Sequence, residues 1–297
     1  KVDYTLNAIS GLVGLKPTIE IIKFTKKIAI ANKESIICGW TLINNKLIKH
    51  KTKFIPIDSE HFSIWSLIGD IKKENIEKVF ITASGGPFND YPLSKFNKIT
   101  INQALKHPNW KMGKKISIDS ATLMNKVFEI IEAKKIFNYK YSDLKILIHP
   151  KSYVHAIVKF KNGLTKLLIH DTNMKIPIFN SFYSNFEKKI QTKNLNLDIL
   201  NDLKFKDVDE IKFPSIKLLK KLPNKDSLFE TVVVSANDKL VALFLKKKIT
   251  FQDISRILLK IIEIPQFKKL KRVKPKNIDQ ILKLSKYVSL KIDILVI

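Results

Sequence analysis

Apolar and polar positions along the 297-residue chain fall into blocks of two kinds. Near the start, "TLNAISGLVGLKPTIEIIKFTKKIAIANKES" reads as a loop with small residues, then a helix begun around Pro17. A strand "KIAIA" follows and leads into Asn32, Lys33, Glu34 and Ser35. "TKFIPI" predicts a strand delivering Asp58, Ser59, Glu60 and His61, and "KVFITA" a strand delivering Ser84, Gly85, Gly86 and Pro87. This alternation predicts an α/β fold, in which ligands collect beyond the carboxyl ends of strands.

Further on, "HPNWKMGKKISIDSATLMNKVFEIIEAKKIF" predicts a glycine-containing loop, a short strand and a helix that Ser120 or Thr122 could cap. On that helix Asn125, Glu129 and Glu132 lie at i, i+4 and i+7 with Lys126 adjoining, so they share one face. The runs "SYVHAIVKF" and "LTKLLIH", joined by "KNG", predict a hairpin turning at Asn162 and Gly163. From about 180 to 212 the chain is polar and weakly periodic, as in a linker. Beyond Phe213, apolar residues recur at helical spacing in "PSIKLLKKL", "VVVSANDKLVALFL" and "DISRILLKIIEI", which predicts a small helical domain.

Composition changes the picture little. A hydrophobic content of 45% can fill a sizeable core in two or three domains. The formal charge of +27 suggests nucleic acid, but only Arg256 and Arg272 among the 54 basic residues carry the guanidinium fork that reads bases, and the lysines are spread over the whole chain. No nucleic-acid partner is expected. No stretch approaches the roughly 18 to 20 apolar residues of a membrane helix, and "KVDYTLNAIS" has no signal-peptide core, so a soluble, cytoplasmic protein is expected. The single cysteine, Cys38, excludes an intramolecular disulfide and a thiolate zinc cluster.

Against this lysine-rich background, "IDSEH" places two acids two residues apart at a strand end. In an extended segment Asp58 and Glu60 point to one side, where their repulsion invites a divalent cation. Oxygen-only ligands favour Mg²⁺ or Mn²⁺, and Glu129 is the natural third ligand, with Glu132 behind it. The competing reading is a solvated acid pair. "ASGGPF" offers a hydroxyl and backbone N–H groups to a phosphate. Ser120, Asn125 and Lys126 gather about a helix start, and His107 could add a charge-assisted donor. Each taken alone also reads as a cap, a surface lysine or a loop histidine. Trp110 and Met112, in "HPNWKMG", read as a closing loop or as buried anchors. His149, His155 and His170 lie on or at the ends of apolar strands and read as core or edge histidines.

The set "ANKES", "PIDSEH", "ASGGPF", "HPNWKMGKKISIDSATLMNK", "IEA" and "IHPKS" resembles the 1-deoxy-D-xylulose 5-phosphate reductoisomerase family, from "NAISGLVGLKPT" to about Met174 and more weakly into "SANDKLVALFL". The resemblance implies the C-terminal part of a Rossmann-like NADPH domain at 1–57, an α+β catalytic domain at 58–180, a linker at 181–212 and a helical domain at 213–297. It implies Asp58, Glu60 and Glu129 as ligands of Mg²⁺ or Mn²⁺ and, with Lys33, as the catalytic residues, Ser59 and Lys33 contacting the substrate's oxygens. It places Ser59, Glu60, Ser84, His107, Trp110, Met112, Ser120, Asn125, Lys126, Glu129 and Ser152 around the sugar phosphate, Trp110 and Met112 as its lid. Asn32, Lys33, Glu34, Gly113 and Met174 would line the NADPH side. The implied reaction isomerises and reduces 1-deoxy-D-xylulose 5-phosphate to 2-C-methyl-D-erythritol 4-phosphate, in a homodimer.

Three departures stand against this pattern. No G-x-G-x-x-G fingerprint is present, and "GLVGL" sits where the family has a later element, so the chain is expected to lack roughly the first half of its NADPH domain. Ala83 stands where a glycine is usual, and "IHDTNMKIP" differs from the common pattern before Met174. A metal-dependent sugar-phosphate binder or lyase without redox activity, and a basic nucleic-acid-binding protein, remain the other readings.

Overall fold

The computed structural model describes residues 1–183 and 188–296. The first segment is a parallel three-stranded sheet, β1 (Val2–Asn7), β2 (Thr25–Ile30) and β3 (Lys53–Pro56), in that spatial order. Between the strands run α1 (Leu15–Ile21) and α2 (Lys33–His50). Central β2 has no alternation because both its faces are covered: Ile28, Ala29 and Ile30 are all buried. Asn32 caps α2 by accepting from Ser35 N at 2.5 Å, and Lys51 in left-handed conformation ends it. Strand β1 ends within the start of "TLNAISG", against the loop expected there. Its Val2 and Leu6 are exposed and only Asn7 is buried, so the edge strand carries no core pattern.

Next comes α3 (Ser59–Ile68), followed by a four-stranded mixed sheet. Its strands are β4 (Ile76–Ala83), β5 (Leu144–Ile148), β6 (Val154–Phe160) and β7 (Thr165–Ile169), in spatial order β5-β4-β6-β7. β4 pairs parallel to β5 and antiparallel to β6, and the predicted hairpin is β6–β7, with Gly163 at φ 88° in its turn. Between β4 and β5 lie α4 (Ile101–Leu105), α5 (Lys114–Ala121) and α6 (Met124–Phe137). Here "KISIDSA" is helical, against the short strand expected. Ser117, Ile118, Asp119 and Ala121 are all buried, so the apparent alternation reflects two buried polar residues, not a pleat.

After β7 come α7 (Lys175–Phe182) and the single-turn α8 (Leu197–Asn201). In the stretch expected to be linker, Lys206 exchanges two backbone hydrogen bonds with Ile148, 2.8 and 3.0 Å, at the edge of β5. Residues 184–187 of that stretch lie outside the described residues. "PSIKLLKK" winds as a 3-10 helix, and α9 (Phe229–Leu245), α10 (Phe251–Ile261), α11 (Pro265–Lys268) and α12 (Ile278–Val296) complete the helical region. Helix α9 packs on α2, α5, α10 and α12, and one apolar core runs from Leu15 to Ile292. Full burial of a side chain such as Phe229 is worth roughly 1.5–3 kcal/mol.

Candidate active site

Strand β3 stops at Pro56, and Asp58 becomes the N-cap of α3, accepting from Glu60 N at 3.2 Å. The two acids therefore converge through a helix start and not through strand alternation, which corrects the expected geometry. Ser59 Oγ donates to Glu60 Oε2 at 2.6 Å.

The third acid arrives on α6. Helix α5 ends at Thr122, and Leu123, at φ 57°, turns the chain through a left-handed conformation into α6. Neither Ser120 nor Thr122 caps α6 as an N-cap: Ser120 is in the last turn of α5 and Thr122 is the C-cap of α5. A leucine in this conformation costs about 1–2 kcal/mol, held here by burial of its side chain. The bend stacks Asn125, Lys126, Glu129 and Glu132 on the face turned toward α3.

Gly86, at φ 64°, permits the same bend. A Cβ there would lie 3.0 Å from Ser120 O and 3.2 Å from Ala121 Cα. Its N–H already donates to Ser84 Oγ at 3.0 Å, so the "SGG" turn serves close packing and does not present that amide to a ligand.

The polar groups then interlock. Lys126 Nζ donates to Glu60 Oε1 at 2.5 Å and to Glu129 Oε2 at 2.7 Å, and Asn125 Nδ2 to Glu129 Oε1 at 2.5 Å. Lys33 Nζ, from the start of α2, donates to Asp58 and lies 3.4 Å from both Glu129 Oε1 and Glu132 Oε2. His61 Nε2–H donates to Glu129 O at 2.9 Å, with Nδ1 3.3 Å from Asp58 Oδ1.

Four carboxylates thus face two ammonium groups. Burial and then Glu60 push the Glu129 carboxyl up to about 7, whereas at Asp58 the Lys33 ammonium overcomes burial and holds the group well below its usual range. Burial opposes charge on His61, but Glu132 and Asp58 outweigh it and raise the ring to about 9.

Asp58, Glu60 and Glu129 each offer an oxygen within 4.8 Å of the other two, the one such trio among the described residues. Asn125 Oδ1, buried beside them, has no hydrogen-bond partner among the described residues. Clustered carboxylate oxygens with an orphaned amide oxygen fit a hard divalent cation.

The cluster floors a cavity of about 230 Å³. Ser84, His107, Ser120, Ser152, Trp110, Met112 and Met174 line it as well. His107 Nδ1 accepts from the backbone N–H groups of Asn109 (3.2 Å) and Trp110 (3.0 Å), so Nε2 carries the hydrogen toward Ser84 Oγ, 3.1 Å away. Burial and then Lys126 depress this ring to about 4. The charged donor expected at His107 is a neutral one. Trp110 meets His155 edge-to-face at 6.2 Å, and His155 stacks on His170 at 3.7 Å.

Every substrate and metal residue expected from the sequence lines this cavity, as do Lys33 and Met174. The remaining cofactor-side residues do not. Asn32 is 3% exposed, its amide donating to Ile9 and Gly11 carbonyls while its oxygen caps α2. Glu34 is bonded to Lys115 at 2.6 Å, and Gly113 is the exposed N-cap of α5.

Sequence reasoning missed Thr82, Lys111, Ile116 and the lining role of His155. It also missed Asn109, whose amide ties Ser152 Oγ (2.9 Å) and Pro150 O (2.8 Å) to the loop. Only "HPN" beside His107 could have hinted at Asn109. Nothing local marks the others.

Comparison with known proteins agrees with this geometry. Family models match at residues 1–39 (1-deoxy-D-xylulose 5-phosphate reductoisomerase), 54–137 (1-deoxy-D-xylulose 5-phosphate reductoisomerase C-terminal domain) and 170–289 (DXP reductoisomerase C-terminal domain). The 1-deoxy-D-xylulose 5-phosphate reductoisomerase of Pelagibacter ubique (strain HTCC1062) is 66% identical over 292 residues, covering 98% of this chain and 75% of that protein. The enzyme of the same name from Sulfurihydrogenibium sp. (strain YO3AOP1) is 40% identical, covering 91% of this chain and 71% of its own.

Among solved structures, a DOX-P reductoisomerase in complex with NADPH, fosmidomycin and magnesium superposes with a TM-score of 0.90 at 31% identity, over 99% of this chain and 76% of that one. The Zymomonas mobilis reductoisomerase in complex with NADPH gives 0.87 at 31% identity, over 99% and 75%. The chain, spanning about three-quarters of the length of these relatives, belongs to the 1-deoxy-D-xylulose 5-phosphate reductoisomerase family.

Proposed function

We propose that this protein carries out the NADPH- and divalent-metal-dependent isomerisation and reduction of 1-deoxy-D-xylulose 5-phosphate to 2-C-methyl-D-erythritol 4-phosphate. The observation that carries the reading is a single cavity lined by a carboxylate trio, by an ammonium bonded to two of those acids, and by a group of hydroxyls with a neutral imidazole. A sugar phosphate has matching groups: vicinal oxygens to be chelated and a phosphate to be anchored.

Asp58, Glu60 and Glu129 would hold the cation, Mg²⁺ or Mn²⁺. When bound, the cation supplies charge withdrawal at the sugar's keto and hydroxyl oxygens, and NADPH supplies the hydride. The protein's own part is positional. Ser59, Asn125 and Lys33 present hydrogen-bonding groups to the sugar oxygens. Ser84, His107, Ser120, Lys126 and Ser152 surround the phosphate, whose binding energy orients the reacting end. Trp110 and Met112 close the side and exclude water.

Lys33 and Met174 would face the nicotinamide. Asn32, Glu34 and Gly113 would contribute by fixing the helix starts that carry this wall. The same reading takes the chain as four parts at 1–57, 58–180, 181–212 and 213–297, a homodimer as the assembly and the cytoplasm as the setting.

The test is NADPH consumption on addition of 1-deoxy-D-xylulose 5-phosphate and Mg²⁺, with and without fosmidomycin. Turnover that is stopped by fosmidomycin and by Asp58→Asn supports the reading. Substrate binding with no NADPH consumption, in a folded chain, would replace it with a non-redox sugar-phosphate binder.

A further inference from the structure

A second cavity, of about 910 Å³, lies away from the acid cluster, between α2 at Trp40, the C-terminal end of α6 and the stretches 223–226 and 271–274. Its wall is basic. Lys134, Lys135, Lys225, Lys271, Arg272 and Lys274 face a single carboxylate, Asp226. That carboxylate is already engaged, accepting from Lys135 Nζ at 2.7 Å and Thr41 Oγ1 at 2.6 Å. Lys135 also lies 3.3 Å from Glu230, so its charge is balanced.

Lys134 is the exception. It is 9% exposed, lines the cavity, and has no carboxylate partner among the described residues. Its ammonium lies 5.3 Å from the centre of the Tyr141 ring, which compensates little of the cost of burying a charge. Lys271 stands 4.7 Å over Phe229 and likewise lacks a carboxylate among the described residues. Burial, helped at Lys134 by Lys135, lowers the pKa of both. Lysines in the last turn of a helix are ordinary, since they complement its dipole, but the dipole does not call for one that is buried without a direct ion pair, Asp226 and Glu230 acting on it only from a distance. The buried Lys134 and the half-buried Lys271, beside Lys225, Arg272 and Lys274, with Asp226 the one acid of the lining, make a wall suited to an anion of several charges.

We propose that this cavity binds the diphosphate group of a small molecule, at a site separate from the sugar-phosphate cavity. A diphosphate brings charge and acceptor oxygens enough to match several ammonium groups of this wall, which a carboxylate does not, and a cavity of about 910 Å³ leaves room for an organic substituent.

The experiment is calorimetric titration of inorganic pyrophosphate, and separately of ADP, into the full chain in metal-free buffer. It is run on the unaltered chain and on Lys134→Gln, Lys271→Gln, His107→Ala and the exposed-surface control Lys248→Gln. One pyrophosphate site is expected, weakened at least about tenfold by Lys134→Gln and several-fold by Lys271→Gln, and unchanged by His107→Ala and Lys248→Gln. Tighter binding of ADP than of pyrophosphate would assign the site to an organic diphosphate, and the reverse order to the free anion. If Lys134→Gln loses its fold, the partly exposed Lys271→Gln carries the test alone. Absence of binding, loss in His107→Ala with Lys134→Gln unaffected, or an equal loss in Lys248→Gln would overturn the proposal.

Discussion

Two clusters in this molecule hold more acid than base, and they resolve the imbalance differently. At the cavity, Asp58, Glu60 and Glu129 bring oxygens within 4.8 Å of one another, while Lys33 bridges Asp58 and Glu129 and Lys126 bridges Glu60 and Glu129. The other cluster joins α2, α5 and α9. There Lys115 Nζ sits among Glu34 (2.6 Å), Asp238 (2.9 Å) and Asp119 (3.1 Å), and Asn237 Nδ2 donates to Asp119 at 2.7 Å. In the second cluster an ammonium occupies the centre, and the result is a staple between helices. In the first, two ammonium groups divide the acids between them and oxygens of three acids still gather within reach of one ion. An excess of acid is therefore not itself a sign of a metal; what matters is whether carboxylate oxygens converge on one point.

Neutralising one acid in each cluster sharpens the contrast. Asp58→Asn should lower turnover by a factor on the order of a thousand or more in a chain that stays folded, because the larger loss falls on charge withdrawal at the reacting oxygens. Steady-state kinetics and a melting curve on the same sample check this. Lys115→Met should show the opposite profile. It strands three acids, and after allowance for the part exposure of Lys115 it should cost about 2 kcal/mol of stability by denaturant titration. Equal effects of both substitutions on stability would erase the distinction.

Gly86→Ala tests the bend that brings α6 to the acids. Its positive φ and the 3.0 Å approach to Ser120 O should cost about 1–3 kcal/mol and weaken substrate binding as well. An unchanged Michaelis constant in Gly86→Ala would show that the bend does not set the site.

Acid pH tests the imidazoles that line the cavity. Burial, followed by Lys126 at His107 and by His170 at His155, holds both rings at about 4. Both are depressed below the unfolded value, so they support the fold above it, and that support is lost as pH falls from about 6.5 toward 4. The melting midpoint should drop over that window and drop less in His155→Gln; an identical slope would remove His155 from the effect.

Much of the site was legible because spacing encodes it locally. "IDSEH" and the i, i+4, i+7 face of Asn125, Glu129 and Glu132 each sit within a few residues. What was not legible depends on elements distant in sequence. Lys33 was named through "ANKES", but its reach to Glu129 across 96 positions is not written near it. The left-handed Leu123 was hidden because leucine carries no signal for that conformation; burial imposes it. Helix α5 read as a strand because Asp119 is buried by Lys115 and Asn237, two partners that a local pattern does not reveal. The parallel core of β2 and β3 and the β6–β7 hairpin were legible, whereas β1 pairs at an edge with its apolar residues exposed.

The most direct test of the cation-centred cluster is calorimetric titration of 1-deoxy-D-xylulose 5-phosphate into this chain with Mn²⁺ present. It is repeated with a chelator, with Asp58→Asn and with Asp238→Asn. The account predicts binding that requires both the cation and Asp58 and persists in Asp238→Asn. Binding indifferent to chelator and to Asp58→Asn would contradict it, and would make the acids of the cavity a staple like those around Lys115.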